Sequence, residues 1–566
     1  MSHYLIEPAD RLPFGSEDKS GRYATERYQG AVGLNWWTCD PSLRLLMRRH
    51  LGEQGLAWAE PYLEEVGALM GGSVARHAEE TDRNPPRLEK YDRWGRDISQ
   101  VVMPASFLAA RRDLLDNSLT SPRFAAEARE NGADPVALGA AWTYLLDQAD
   151  IGMACAMGTG GDMVVGLAER YAPDDVKARV RELFKDGFYA GEAAQMLTER
   201  TGGSDLGALE ATAEPDGEAW RLSGYKWFAS NANGSAFVVL AKPVGADDGV
   251  RGVAPFLVLW DRRDGSRNGV RIRRLKDKLG TRSVASAEVE FTGAEAFLLA
   301  GPGSGEGSGL STMMRLTQGS RLGVAMMGVG VARRALVESL CYARVREAFG
   351  KPLIEQPLMR RKLAELIVEV EAAQALVFDG YCGPRLRLAP ALIKLRAARL
   401  GVTAASDAIE IHGGNGYIEQ WPVARLLRDA QVNPIWEGGD NILCLDVRRA
   451  MAKERAHLPF LDRLRAAATS PLVAERIEDL AKAVEAWQAL DTATAEARLY
   501  PLAQFMADVY AAALLEEQAT WGLDDGRKAL VARLYAEAHL ADRGPLRGLD
   551  APAADHFDAL LAGALG

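Results

Sequence analysis

A change of texture at Gly191 constrains this chain most. From there to about Leu299 the sequence runs as short segments, WRLSGYKWFAS, AFVVLAKP, APFLVLWD, VRIRRL and ASAEVEF, separated by Gly, Asp and Asn. Alternation and β-branched or aromatic content mark them as strands. The intervening EPDGEAW and RRDGSRNG suit hairpin turns. On both sides the chain is rich in Ala, Leu, Arg and Glu, which favour helix. A β block between two helical regions is an α+β arrangement, mostly α.

The texture predicts an N-terminal irregular segment and helical domain over 1–190, a middle β domain over 191–300, a C-terminal helical bundle over 301–455 and a helical extension over 456–566. Helix is expected from Pro41 to about Arg76, with Trp36 and Trp37 before it packed on a neighbouring element. TDRNPPRLEKYDRWGRDISQVVMP reads as a loop. Asp174 is placed as an N-cap and Gly187 as a helix stop. The bundle helices are expected at 309–348, 358–380, 388–412 and 441–455, and small residues on the first (Gly323, Ala325, Gly328, Gly330, Ala332) allow close approach.

Composition excludes several classes. The 566 residues carry a net charge of −10, which disfavours bulk attraction to nucleic acid or anionic membrane. From Lys453 onward there are 12 basic and 18 acidic residues. Runs of about 18 apolar residues are absent, so no membrane span is expected. The first residues lack the basic-then-apolar order of a secretory signal. Cys39, Cys155, Cys341, Cys382 and Cys444 are scattered and form no CxxC pair, which signals neither a disulfide framework nor a metal site. These facts fit a cytoplasmic enzyme.

Four stretches could carry chemistry. HGGNGYIEQWPVARLLRDAQVNPIWEGGDNILCLDV, residues 412–447, holds two Gly-rich turns, and the second presents Glu437 between Trp436 and Gly438. An indole with Ile435 and Ile442 nearby could desolvate that carboxylate and make it a stronger base; a solvated surface turn is the other reading. QMLTERTGGSDLG (195–207) offers backbone N–H groups and the hydroxyls of Thr198 and Ser204, with Gly202 and Gly203 allowing close approach. GYKWFASNA (224–232) and YARVREAFGKPLIEQP (342–357) add an aromatic strip and a permanently charged Arg346. Each stretch alone also has a purely structural reading, as does His412 beside its Gly-Gly turn.

Together and in this order, the four stretches resemble the acyl-CoA dehydrogenase family, and IWEGGDNILCLDV resembles its AidB-like branch, the alkylation-response flavoproteins. The resemblance implies the acyl-CoA dehydrogenase fold: an N-terminal helical domain, a middle β-barrel-like domain and a C-terminal four-helix bundle, here with an extra helical extension. It implies FAD as cofactor and Glu437 as catalytic base. It implies Leu197, Thr198, Gly203, Ser204, Trp227, Phe228 and Ser230 at the flavin. Arg346, Phe349, Gly413 and Gly414 would lie at the cofactor of an adjacent subunit, Asn441 at the flavin and Arg321 near substrate. The implied partners are an acyl thioester (an acyl-CoA), an electron-transfer acceptor and further copies of the chain in a homotetramer.

This sequence departs from the common pattern in places. Gly439 stands where a Thr or Ser is usual, Glu410 replaces a Gln, and Gln318 and Ser320 replace an Asp and a Thr before Arg321. The resemblance therefore implies one side-chain contact to flavin fewer at Gly439, and at Gln318 and Ser320 a departure from the ordinary contacts to coenzyme A. The AidB-like branch also implies a second function, DNA binding in the alkylation response through a basic C-terminal region, against which the acidic tail argues. A third, oxidation of a small carbon acid, resembles a branch whose base is Asp, whereas position 437 is Glu.

Overall fold

The computed structural model describes residues 28, 30–158, 164–185, 193–300, 309–542 and 552–565, excepting the side chains of 309–316 and 552. The expected helix stop at Gly187 and residues 301–308 lie outside them. The chain parts into two compact units, one of residues 1–76, 123–149 and 321–566, the other of 77–122 and 150–320.

The second unit is built on a sheet. Its strands are β1 (Arg87–Tyr91), β2 (Asp97–Val102), β3 (Ala193–Met196), β4 (Thr212–Asp216), β5 (Ala219–Ser230), β6 (Ala236–Pro243), β7 (Ala254–Leu259), β8 (Val270–Leu275) and β9 (Ser286–Leu298). Pairings β6–β4, β4–β5, β5–β9, β9–β7 and β7–β6 close a ring, with β3 added on β6 and β8 on β9. β6 and β7 read as unbroken apolar runs because both their faces are covered. Phe237, Val239, Phe256 and Val258 pack in one core cluster. Val238, Leu240, Leu257 and Leu259 pack in another, together with Leu167, Ala168, Val176 and Val180 of the preceding helices.

Two expectations are corrected here. Residues 81–104 are not simply a loop: β1 and β2 pair antiparallel as a hairpin. RRDGSRNG does not join a paired hairpin, since β7 and β8 each pair with β9, leaving only an isolated bridge between Asp261 and Arg267. EPDGEAW does turn β4 into β5.

The helical unit begins with α1 (Pro41–Leu69), capped by Asp40, whose side chain accepts from the Leu43 N–H. A π turn at Met70–Val74 carries it into α2 (Ala75–Arg83). Trp36 and Trp37 are buried, and the Trp36 indole donates to the Ala31 carbonyl at 2.9 Å. In chain order follow α3 (Ala105–Asp116) in the sheet unit, α4 (Pro122–Glu130) and α5 (Pro135–Ala149) in the helical unit, and α6 (Ile151–Gly158), α7 (Gly166–Tyr171) and α8 (Asp174–Leu183) in the sheet unit. Asp174 is the first residue of α8 rather than its cap, which is Pro173.

The bundle consists of α9 (Gly309–Val345), α10 (Pro357–Cys382), α11 (Ala389–His412) and α13 (Asp440–Glu454), with the unexpected α12 (Pro422–Ala430) before the last. Close approach along α9 is real: a Cβ on Gly328 would stand 2.4 Å from the Ala397 carbonyl, and one on Gly330 2.5 Å from the Asp147 Cβ. Gly323 faces open space. The extension is helical from α14 (His457–Ala467) through α15 (Pro471–Gln488), α16 (Thr492–Ala497), α17 (Leu499–Ala519), α18 (Arg527–His539) and α19 (Pro552–Asp555) to α20 (Phe557–Ala564). Its α17 packs on α10 and α11.

Candidate active site

In the helical unit, Glu437 ends a run of turns after α12 and stands three residues before α13. Its φ is +55° and that of Gly438 is +99°, so the chain turns through left-handed backbone that suits Gly and is rare for Glu. Two cations hold this turn by consecutive carbonyls. Arg321 Nε donates to the Glu437 carbonyl at 3.4 Å and its Nη1 to Asp446 at 2.5 Å; Arg387 Nη2 holds the same carboxylate at 2.6 Å. Lys394, fully buried on α11, donates to the Gly438 carbonyl at 2.5 Å.

The apolar cover expected over Glu437 is incomplete. Ile435 is 69% exposed, and the Trp436 indole donates to Asn433 Oδ1 at 3.2 Å. Glu437 is half-buried with cations nearby. Burial lowers the Lys394 ammonium to about 8, Glu437 opposing that shift and Arg321 adding to it. Asn441 is exposed in the first turn of α13, next to Asp440, which pairs with Arg399 at 2.7 Å. The structure therefore brings Glu437, Arg321 and Asn441 into one neighbourhood. Arg321 is 2% exposed and tied to Asp446 and to the Glu437 carbonyl, so it acts first on the backbone of this turn.

Arg346, Phe349, Gly413 and Gly414 form a second group at the other end of α11. His412 stacks on Tyr342 at 4.3 Å between centroids, and Asn415 donates to the Tyr342 hydroxyl at 3.1 Å. That stack joins the end of α9, where Arg346 follows, to the Gly413–Gly414 turn. Burial lowers the His412 pKa, and its Nδ1 lies 2.7 Å from the Ala408 carbonyl, as a neutral structural imidazole requires. Arg346, Gly413 and Gly414 are exposed, Phe349 at 98%. A Cβ on Gly413 or Gly414 would meet nothing within 4 Å.

The barrel unit carries the remaining candidates. The Trp227 N–H donates to the Thr198 carbonyl at 2.8 Å, so the LTE segment lies along β5. Lys226, buried at the head of this contact, donates to Glu199 and to the Leu240 carbonyl at 2.6 Å and to the Leu197 carbonyl at 3.4 Å. Glu199 also accepts the backbone N–H of Glu210 at 2.6 Å and of Ala211 at 3.2 Å. Burial lowers the Lys226 pKa and Glu199 raises it. This buried pair fixes the positions of Leu197 and Thr198. A Cβ on Gly203 would stand 2.6 Å from Thr198 Oγ1; the glycine is what lets the TGGSD turn fold onto the threonine. Ser204 is exposed.

Trp227 is half-buried and Phe228 is 47% exposed. Lys276 Nζ lies 3.1 Å from the Trp227 ring centroid, and the Arg200 guanidinium lies 5.5 Å from it. Desolvation works against the Glu288 charge, but bonds from Lys276, Tyr225 and Arg274 hold its pKa at about 2. Ser230 Oγ lies 3.1 Å from Ser286 Oγ. The sequence motifs point to none of Lys276, Arg200, Glu199 or Lys394 as a participant. The Lys of KW and the Glu of TE were visible, but their pairing exists only in the fold.

This donor set fits a flavin cofactor. Bare backbone at Gly202 and Gly203, the hydroxyls of Thr198 and Ser204 and the ring of Trp227 suit a polar heteroaromatic ring. Open glycines and an exposed guanidinium suit a pyrophosphate.

The chain's relatives agree. The acyl-CoA dehydrogenase C-terminal domain matches residues 307–452, the acyl-CoA dehydrogenase middle domain 194–294, and the adaptive response protein AidB N-terminal domain 28–178. AidB of Escherichia coli (strain K12) is 32% identical over 71% of this chain and 76% of its own. The 3-methylmercaptopropionyl-CoA dehydrogenase of Ruegeria pomeroyi is 30% identical over 69% and 70%. Among solved structures, Caenorhabditis elegans ACDH-11 in complex with C11-CoA superposes with a TM-score of 0.79 at 26% identity, covering 90% of this chain and 92% of that one. With these matches spanning helical and barrel units alike, the chain belongs to the acyl-CoA dehydrogenase family, in its AidB-like branch.

Proposed function

We propose that this protein is an FAD-dependent acyl-CoA dehydrogenase that places a double bond between Cα and Cβ of an acyl thioester. The observation that carries the reading is Glu437: a half-buried carboxylate on a turn whose two carbonyls are clamped by buried cations. A base held this rigidly needs little reorganisation to meet a carbon acid. Its carboxylate takes the α proton. When bound, FAD supplies the two-electron acceptor that receives the β hydrogen as hydride.

The chain's own residues bind and orient. Leu197, Thr198, Gly203, Ser204 and Ser230 would hold the polar edge of the flavin, with Trp227 and Phe228 against its ring and Asn441 beside it. Arg346, Phe349, Gly413 and Gly414 would reach the pyrophosphate and adenosine of cofactor bound to another copy, which makes a homo-oligomer, a tetramer, the working form. An electron-transfer protein would reoxidise the flavin. Acyl-CoA as substrate class is supported by the C11-CoA complex of the C. elegans relative. The cytoplasm is the compartment we assign; among the described residues no helix is long and apolar enough to cross a membrane. DNA binding is disfavoured by the acidic extension, which has 12 basic against 18 acidic residues.

Anaerobic titration of the yellow protein with acyl-CoAs of graded chain length tests this reading. The expected result is loss of flavin absorbance with at least one of them. A flavin that stays oxidised with all of them, together with a salt-sensitive DNA gel shift, would reverse the assignment.

A further inference from the structure

The helical unit holds a charged residue that binding of the cofactor does not explain. Lys394 lies mid-helix on α11, facing inward, with no exposed surface. A lysine stripped of water is costly unless something at the site requires its charge. Its ammonium is spent on one backbone oxygen, the Gly438 carbonyl at 2.5 Å, one residue after Glu437. Arg321, from α9, takes the preceding carbonyl. The charged groups around this turn are Arg321 on α9, Arg387 before α11, Lys394 and Arg399 on α11, and Asp440 and Asp446 on α13. Arg399 pairs with Asp440, Arg321 and Arg387 share Asp446, and Arg387 also pairs with Glu454. For Lys394, Glu437 is the carboxylate that most stabilises the charge.

Resting on the assignment of Glu437 as base, we propose that Lys394 is a positioning residue that locks the Glu437–Gly438 turn in left-handed backbone and sets its positive charge against that turn. The lock and the charge are separable. Lys394→Met removes both, Lys394→Gln keeps a donor without charge, and Lys394→Arg keeps the charge.

The experiment uses the flavin-loaded holoprotein. Anaerobic flavin reduction by a reactive acyl-CoA is followed against pH, and hydrogen exchange of the 432–442 peptide is followed without substrate. In K394M and K394Q the acid limb of the reduction rate moves upward, costing threefold or more in rate at pH 6, while K394R stays near the wild-type limb. Exchange of the turn rises in K394M and less in K394Q. An acid limb that stays in place in K394Q overturns the proposal, and should K394M not load flavin, K394Q alone decides it. If wild type is reduced and Glu437→Gln is not, an unmoved limb indicts Lys394 only. If no acyl-CoA reduces the wild type, the functional reading fails, and unchanged exchange in K394Q and K394M then overturns the lock as well.

Discussion

At the scale of single residues, the site rests on buried charges that hold backbone in place. Glu199 and Lys226 are the clearest case, 3% and 0% exposed and 2.6 Å apart. Removing one partner of such a pair leaves an uncompensated charge, at a cost of about 3–5 kcal/mol. Lys226→Met is therefore expected to lower the denaturant midpoint strongly and to strip flavin during gel filtration. Adding Glu199→Leu should recover part of the stability without restoring flavin, because Leu197 and Thr198 have lost their anchor. Equal stability of K226M and wild type would contradict this. The motifs singled out Thr198, Trp227 and Glu437 because their residue types suit the proposed chemistry. Lys394, Lys276 and the Glu199–Lys226 pairing were not legible, because each acts through burial or approach that only the tertiary structure creates.

At the scale of elements, the bundle was readable because its helices are long periodic runs, and their bounds agree with expectation to within a few residues. The β1–β2 hairpin escaped because its alternate residues are only half-buried and it follows Asn84-Pro85-Pro86, a loop signal. Helix α12 is short and flanked by Gly-rich turns, which hid it. The ring closure of the barrel depends on β6 meeting both β4 and β7, pairings that no local pattern carries. The join between extension and bundle makes a pH prediction. Glu371 of α10 is bound by Arg527 and by Lys528, the latter at 2.8 Å. Burial opposes its charge, but these two cations hold its pKa at about 2. A depressed carboxylate pKa contributes stability that is present above its unfolded value, about 4.3, and is lost as pH falls through the folded one. The contribution is about 3 kcal/mol by that difference. Wild type should lose this increment between about pH 4.5 and 2, and Glu371→Gln should show a flatter curve of stability against pH in that window.

At the scale of the whole molecule, the exposed Arg346, Phe349, Gly413 and Gly414 form a surface that a single chain leaves uncovered. Our reading gives that surface to the cofactor of another copy. Arg346→Gln should fold normally and yet bind FAD about tenfold or more weakly, the loss expected for a charge-assisted hydrogen bond. Flavin retention after dialysis, compared with sedimentation of the same sample, measures both effects. Undiminished retention in R346Q would remove Arg346 from the cofactor site.

The central claim is that Glu437 takes a proton from carbon. Rapid anaerobic mixing of Glu437→Gln holoprotein with an acyl-CoA that bleaches the wild type tests it most directly. Retained yellow flavin is expected, with bleaching slower by about 10²–10⁴-fold, the usual worth of a positioned general base. Bleaching of E437Q at the wild-type rate would contradict it.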